Sequence, residues 1–529
     1  MPLLRHAVLA VVLVAAACSV SVDDMSMTMG SDEGRGATST PLGPTVEPDA
    51  LPAEGPDASG TGDEPTADGQ ATDDEGGSVP AAEDTPEPGE IGTDGVGDLY
   101  YPGYGNGGYD VLDYDLVIDW DHEGRTMEAT ATIELVPTIR LSRFNLDLDG
   151  LEVRSVDVDG LAAGFERDGR ELIISPAATL DADNTVTVVV GYHGRPRVLE
   201  SLGAPFSGGW TDLGDTIIVV GEPEGAAGWY PVNEHPTDKA TYRFTITADA
   251  DLTVIANGFQ ISREEHGDDT ITWIYETDDP QASYLTTVGI GDFRFHQGEP
   301  SRSGVPVRHW FQPEVFDASV ITMERTGQMI DVFEDLFGTY PFDVYGSVVV
   351  DASLGFALET QTLSVFGGDL VDRFASYEDI VAHELAHQWF GNHVSLGQWR
   401  DIWLNEGFAS YAEYLWFDEI DPNYDLDREI RNDYAFYSII VDTPPGAPPP
   451  DDLFNVSVYL RGAFTLHALR TTVGEEAFWQ IVRSWVDEFG GSYATTTDFI
   501  QLSEEVSGLD LGGFFDSWLY ADEVPPLPS

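Results

Sequence analysis

Basic residues are what this chain most lacks. Its 529 residues hold 24 lysines and arginines against 94 aspartates and glutamates, a formal charge of −70, and the one lysine is Lys239. That balance excludes a nucleic-acid partner gripped through its phosphates and argues against an anionic membrane surface as a docking site. Codon bias accounts for arginine in place of lysine but not for a three- to fourfold excess of acids, for which a saline habitat is the second reading. Cysteine is all but missing too. With Cys18 alone, no intramolecular disulfide can form.

The N-terminal apolar run, Ala7 to Ala17, has eleven residues, too few to span a bilayer as a mature helix. Preceded by Arg5 and followed by small residues, it predicts an export signal over residues 1–18. Cys18, directly after Ala15-Ala16-Ala17, resembles the lipidated cysteine of a bacterial lipoprotein signal. The expected location is therefore the cell surface, lipid-anchored or otherwise secreted, with the anchor at Cys18 as the only tie to a membrane. Residues 19–98 carry 20 acids and one base, Arg35, with abundant Gly, Pro, Ser and Thr and almost no aromatic or branched apolar residues. Such a segment cannot bury a core and is expected to be a disordered, self-repelling tether.

Aromatic residues are plentiful beyond it: the chain has 12 Trp, 21 Tyr and 26 Phe, enough for real cores. Removing the tether's 20 acids and the two arginines Arg5 and Arg35 leaves 74 acids and 22 bases on residues 99–529, so the folded body itself carries −52. From residue 109 to about 300 apolar and polar residues alternate, as in Tyr114-Asp115-Leu116-Val117-Ile118-Asp119-Trp120 and Tyr242-Arg243-Phe244-Thr245-Ile246-Thr247, with turn signals at Asp159-Gly160 and Asn257-Gly258. This pattern predicts an antiparallel, sandwich-like β domain over 99–303. After Gly304 the period changes. Ser319–Phe337 reads as one amphipathic helix, Val348-Val349-Val350 as a buried strand, and the chain beyond Tyr377 as mainly helical, interrupted by a loop over Pro444 to Pro450. The prediction is a second, mainly helical domain over 304–529.

Chemistry concentrates in His383-Glu384-Leu385-Ala386-His387. A helix over Tyr377–Phe390, capped by Ser376 and stopped at Gly391-Asn392, puts His383 and His387 on one face one turn apart, a clamp for Zn²⁺. Glu384 is turned by about 100° from its neighbour, beside the clamp and suited to act as a base on water. A catalytic zinc needs a third protein ligand and one open position. Glu406, nineteen residues after His387 in Trp403-Leu404-Asn405-Glu406-Gly407, is the candidate, in the first turn of a following helix. Glu413, seven residues on, shares that helical face and is read either as an orienting partner of a ligand or as a solvated surface acid.

These segments, His383 to Asn392 and Trp403 to Ala409, closely resemble the gluzincin aminopeptidases of the aminopeptidase N and leukotriene hydrolase type. The resemblance runs from about Tyr114 to Pro528 and implies a thermolysin-like catalytic domain, one Zn²⁺ per chain, and peptides with a free N-terminus as substrates. It also implies further site residues. Phe356-Ala357-Leu358-Glu359-Thr360 is similar to the family's Gly-Ala-Met-Glu-Asn strand, which makes Phe356 and Ala357 substrate-binding and Glu359 the acid that receives the substrate amine. Glu222, in Glu222-Pro223-Glu224-Gly225, matches the segment from which the β domain supplies a second amine contact. Tyr459, in Tyr459-Leu460-Arg461-Gly462, matches a Tyr-x-Lys-Gly motif whose tyrosine supports the transition state. Larger relatives continue into a helical region that covers the site. This sequence stops after the catalytic domain, so a short form lacking that cover is expected. The rival readings are a thermolysin-like endopeptidase, which shares the metal triad, and a surface binding or scaffold lipoprotein with an inactive site.

Overall fold

In the computed structural model, which describes residues 89–371, 377–441 and 443–529, strands fill the first part of the chain and helices the second. The expected export signal and most of the expected tether lie outside the described residues, as does Ser376. Residues 89–98, placed in the tether by composition, belong instead to the folded body. Glu90–Ile91 adds as an edge strand beside Leu141–Asp147. The Asp98 carboxylate, buried, accepts hydrogen bonds from the backbone N–H groups of Tyr100, Tyr101 and Trp399. An acid satisfied by three donors does not need water, which is why charge alone misplaced this boundary.

Period-two alternation becomes sheet. Tyr109–Asp121 buries Tyr114, Leu116, Ile118 and Trp120 on one face and runs through the middle of an eight-stranded sheet. Its neighbours are Thr126–Pro137, antiparallel, and Lys239–Asp249, which is parallel and not antiparallel as expected. A parallel partner needs a crossover, and the chain between these two strands supplies it by building most of a four-stranded sheet and part of a five-stranded one. Residues from all three sheets share one apolar core. Asp159 and Gly160, both at positive φ, make the two-residue turn between Glu152–Val158 and Leu161–Ala162. Asn257-Gly258 does not close a hairpin: Thr253–Ala256 and Phe259–Glu265 lie in different sheets, and the buried Asn257 amide donates to the Leu285 and Gln361 carbonyls.

A second five-stranded sheet contains Arg294–Gln297, Val307–Phe311, Tyr345–Val350, Ser364–Gly367 and, antiparallel at its edge, Ala357–Leu358. Arg294–Gln297 pairs with Val307–Phe311, so this sheet begins before the expected junction at 304. The helix expected over Ser319–Phe337 is two, α1 (Phe316–Thr322) and α2 (Thr326–Phe337). A Cβ on Gly327 would meet the Pro300 carbonyl at 3.1 Å, so α2 lies flush against Glu299-Pro300 and the chain bends at Met323–Arg325 to bring it there. The remaining helices among the described residues are α3 (Glu378–Ala386), α4 (Trp403–Ile420), α5 (Leu426–Tyr437), α6 (Val456–Val473), α7 (Glu475–Phe489), α8 (Thr496–Ser507) and the single turn α9 (Gly512–Phe515), besides short 3-10 and π turns. They enclose a core rich in tryptophan, with Trp389, Trp399, Trp403 and Trp416 fully buried. Among the described residues no helix is long and apolar enough to cross a membrane.

Candidate active site

Helix α3 is shorter than its sequence pattern. Its regular hydrogen bonding ends at Ala386, but His387 keeps helical angles (φ −57°, ψ −24°), so the i and i+4 spacing of His383 and His387 survives. The chain then turns at Gly391, whose φ of +122° favours glycine. Asn392 is not part of a left-handed stop; its buried side chain has a different use, described below. The two imidazole centroids lie 4.8 Å apart, and Glu406 from the first turn of α4 approaches both, with Oε2 at 3.1 Å from His383 Nε2 and 3.5 Å from His387 Nε2. The outward nitrogens are also held: His383 Nδ1 donates to Glu413 Oε1 at 2.8 Å, and His387 Nδ1 to the Phe390 carbonyl at 3.0 Å. Glu413 is thus an orienting partner and not a surface acid.

These residues fit a zinc ion. With both Nδ1 atoms used as donors, the Nε2 lone pairs point at a common centre with a carboxylate opposite, the His₂Glu set of a hydrolytic zinc site. Tetrahedral ligands at about 2.0–2.1 Å stand about 3.3–3.4 Å from one another, and the contacts of 3.1 and 3.5 Å bracket that spacing. The field agrees. Burial alone would raise the Glu406 pKa, yet the facing imidazoles hold it at about 2. Burial would lower that of His387, yet Glu359 and Glu406 push it up to about 9. The pocket favours positive charge at its centre.

A second group of donors, Glu359, Glu384 and His387, overlaps the first. Two of its carboxylate oxygens, Glu384 Oε2 and Glu359 Oε1, are buried without a hydrogen-bond partner among the described residues, as is Glu222 Oε1. Burial pushes Glu384 up to about 8, an effect that the two histidines oppose and Glu359 and Glu406 reinforce. Glu222 is raised by burial and then by Glu359, Glu406 and Glu384, and Glu359 by burial, partly offset by His387. Glu359, at the end of the edge strand Ala357–Leu358, brings a carboxylate oxygen within 4.8 Å of a His387 ring nitrogen, and Glu222, carried by the β-rich half, feels the charges of Glu359, Glu406 and Glu384.

The edge strand is fixed by residues that the sequence did not single out for this purpose. The Glu359 carbonyl accepts from Gln388 Nε2 at 3.0 Å and Asn392 Nδ2 at 2.7 Å, tying the strand to the segment that carries His387. Behind that segment Lys239, the one lysine, donates to the carbonyls of Asn392 (2.8 Å) and His393 (3.0 Å). The only readable signal was that Gln388 and Asn392 fall inside the motif itself. Ala357 pairs with Phe366 across the strand, while Phe356 stacks on Phe206 of the β-rich half, centroids 4.3 Å apart.

Tyr459 stands near the start of α6, its ring 6.0 Å from that of His383 and nearly parallel to it. Burial and the carboxylates Glu406, Glu222, Glu359 and Glu384 raise its phenol well above the usual value, so it stays a donor. Two glycines bring it there. A Cβ on Gly407 would meet Gly462 Cα at 2.9 Å, and one on Gly462 would meet Gly407 Cα at 2.8 Å, so α4 and α6 cross with their backbones in contact and deliver Glu406 and Tyr459 to one cleft. Arg461, fully buried, donates to the carbonyls of Trp518 (2.7 Å), Ser517 (3.1 Å) and Ala521 (2.6 Å), fastening α6 to the C-terminal segment.

Comparison with known proteins gives a consistent picture. The profile described as peptidase M1 N-terminal domain matches residues 111–285, and that of the peptidase family M1 domain matches residues 321–518. Aminopeptidase N of Haemonchus contortus is 25% identical over 442 residues, 77% of this chain and 44% of that protein. Aminopeptidase N of Lactococcus lactis is 26% identical over 78% of this chain and 51% of its own. The chain therefore spans about half the length of these relatives. A crystal structure of an M1 zinc metallopeptidase from Deinococcus radiodurans is similar with a TM-score of 0.77 and 30% identity, over 82% of this chain and 99% of that one. A mutant of that enzyme was solved bound to a Tyr-Ser-Ala substrate, with 29% identity and the same TM-score.

Proposed function

The chain belongs to peptidase family M1, a family of zinc metallopeptidases, and we propose that it is an extracytoplasmic aminopeptidase that holds one zinc ion and removes residues from the free amino terminus of peptides. The observation that carries this reading is the pair of buried carboxylate oxygens, on Glu222 and Glu359, without hydrogen-bond partners among the described residues, with Glu359 within 4.8 Å of the metal-side His387 and Glu222 in the field of Glu359, Glu406 and Glu384. Two acids so placed are neutralised by a terminal ammonium, whereas an internal peptide bond would leave them unpaired. An endopeptidase has no need of them. Export rests on the signal over residues 1–18, and anchoring on Cys18.

His383, His387 and Glu406 would hold the zinc ion, which would supply Lewis acidity toward a water and the scissile carbonyl. The protein's own groups do the rest. Glu384 takes a proton from the attacking water as its oxygen bonds to the carbonyl carbon, and passes that proton to the amine that leaves when the C–N bond breaks. Tyr459 donates to the oxyanion that forms in between. Glu359 and Glu222 bind the ammonium and so fix which bond is the first. The test is an assay of the purified chain against aminoacyl reporter amides, with chelator and with zinc restored. Turnover that chelator abolishes and zinc restores supports the reading; no turnover on any free-amine substrate overturns it in favour of an inactive binding protein.

A further inference from the structure

Glu222 sits at the end of a loop that is gripped from behind by groups far from the reacting bond. The strand Ile217–Val220 leads into Gly221–Gly225, which folds back over the neighbouring strand Ser207–Asp212. A Cβ on Gly225 would meet Gly209 N at 2.6 Å and Gly221 Cα at 2.8 Å, so loop and strand touch backbone to backbone. On the loop's other flank the Glu234 carboxylate accepts through Oε1 from the N–H groups of Gly225 (2.6 Å) and Ala226 (2.5 Å), a concave pair of donors closed by an anion. Glu234 Oε2 accepts from Arg170 Nη2 at 3.0 Å. Arg170 Nη1 also donates to Glu224 Oε2, and the Tyr104 hydroxyl donates to the other Glu224 oxygen. The side chains of Glu224 and Glu234 are 2% and 3% exposed, so Arg170 is the cation that two buried acids share.

The direction of the forces gives this network its role. Glu222 is buried in the repelling field of Glu359, Glu406 and Glu384, and its Oε1 has no hydrogen-bond partner among the described residues. What holds it there acts on its backbone, through Glu224 two residues on and through the Gly225 and Ala226 amides. We propose that Arg170 is a positioning residue for substrate recognition: by joining Glu224 to Glu234 it keeps the Glu222 loop facing the cleft, and it touches no substrate itself. The inference rests on the reading of Glu222 as an amine-binding acid.

A double-mutant cycle tests it, using an aminoacyl reporter amide and zinc content as readouts. Glu222→Gln should raise KM by about tenfold, the scale of one weakened charge-assisted contact. Arg170→Met should raise KM to a similar degree with kcat changed less than about threefold and zinc retained, and Arg170→Lys should recover part of the loss. Because Arg170 acts through Glu222, the double variant should be no worse than Glu222→Gln alone. If Arg170→Met does not fold, Tyr104→Phe, which removes one bond to Glu224 and leaves the ion pairs, replaces it in the same cycle with an expected KM rise of about twofold to threefold. Additive effects, or an unchanged KM in the folded variant, overturn the positioning role while leaving the amine reading intact. A Glu222→Gln enzyme with unchanged KM overturns the amine reading of Glu222 and this inference with it.

Discussion

On the metal side of the cleft the Nδ1 of both His383 and His387 has an acceptor, whereas on the substrate side Glu222, Glu359 and Glu384 each keep a buried oxygen with no partner among the described residues. The first half is organised by the protein in advance: Glu413 and the Phe390 carbonyl aim the rings, and Glu406 closes the set. The second half is held through its backbone, by Gln388 and Asn392 on the Glu359 carbonyl and by Glu234 on the Glu222 loop. Repulsion among its acids is left for a ligand to relieve. On the proposed function, the site would bind its metal independently of substrate and recognise substrate by charge, and variants on the two sides should fail differently.

The largest expected effect separates the base from the ligands. Glu384→Gln should retain zinc and lose turnover by roughly 10²–10⁴-fold, because His383, His387 and Glu406 complete the metal set without it. Elemental analysis beside kcat decides this, and a metal-free variant would erase the distinction between the two sides. Tyr459→Phe should lower kcat by roughly 10²–10³-fold with little change in KM, the loss of one oxyanion donor. An unchanged kcat in a steady-state assay would remove Tyr459 from the reaction.

Glu413→Gln probes how far the metal side is prepared in advance. Zinc affinity, measured by competition with a chelator, should weaken by about 10–100-fold while KM at saturating zinc stays the same. Weakened amine binding with full affinity for zinc would contradict the division. The smallest effect concerns the crossing of α4 and α6. Gly462→Ala should cost about 1–3 kcal/mol of stability, and the drop in melting temperature should come with a lower kcat as Glu406 and Tyr459 move apart.

Much of the metal side was legible in sequence because its logic is local. His383 and His387 are one helical turn apart, and Glu406 and Glu413 are two turns apart on α4, so spacing alone sets their faces. The helix break at Met323–Arg325 escaped the periodicity because its cause is Gly327 lying against Pro300 from another part of the chain. The supports of the substrate side are hidden for the same reason: Arg170 reaches Glu224 and Glu234 across more than fifty residues, and Asn257 joins two sheets where its sequence reads as a turn. Side-chain bonds to distant backbone leave no periodic trace. The Asp98 boundary was misplaced because composition counts charges without seeing which of them are satisfied.

The most direct test of the account is a digest of one long unstructured peptide and its N-acetylated twin, followed by mass spectrometry over time. An enzyme whose substrate side is tuned to a terminal ammonium removes residues stepwise from the free peptide and leaves the acetylated one intact, and Glu359→Ala slows the free peptide by about 10–100-fold, the worth of one charge-assisted hydrogen bond. Internal cuts appearing equally in both peptides would make the protein an endopeptidase and contradict the recognition of the amine by Glu359 and Glu222.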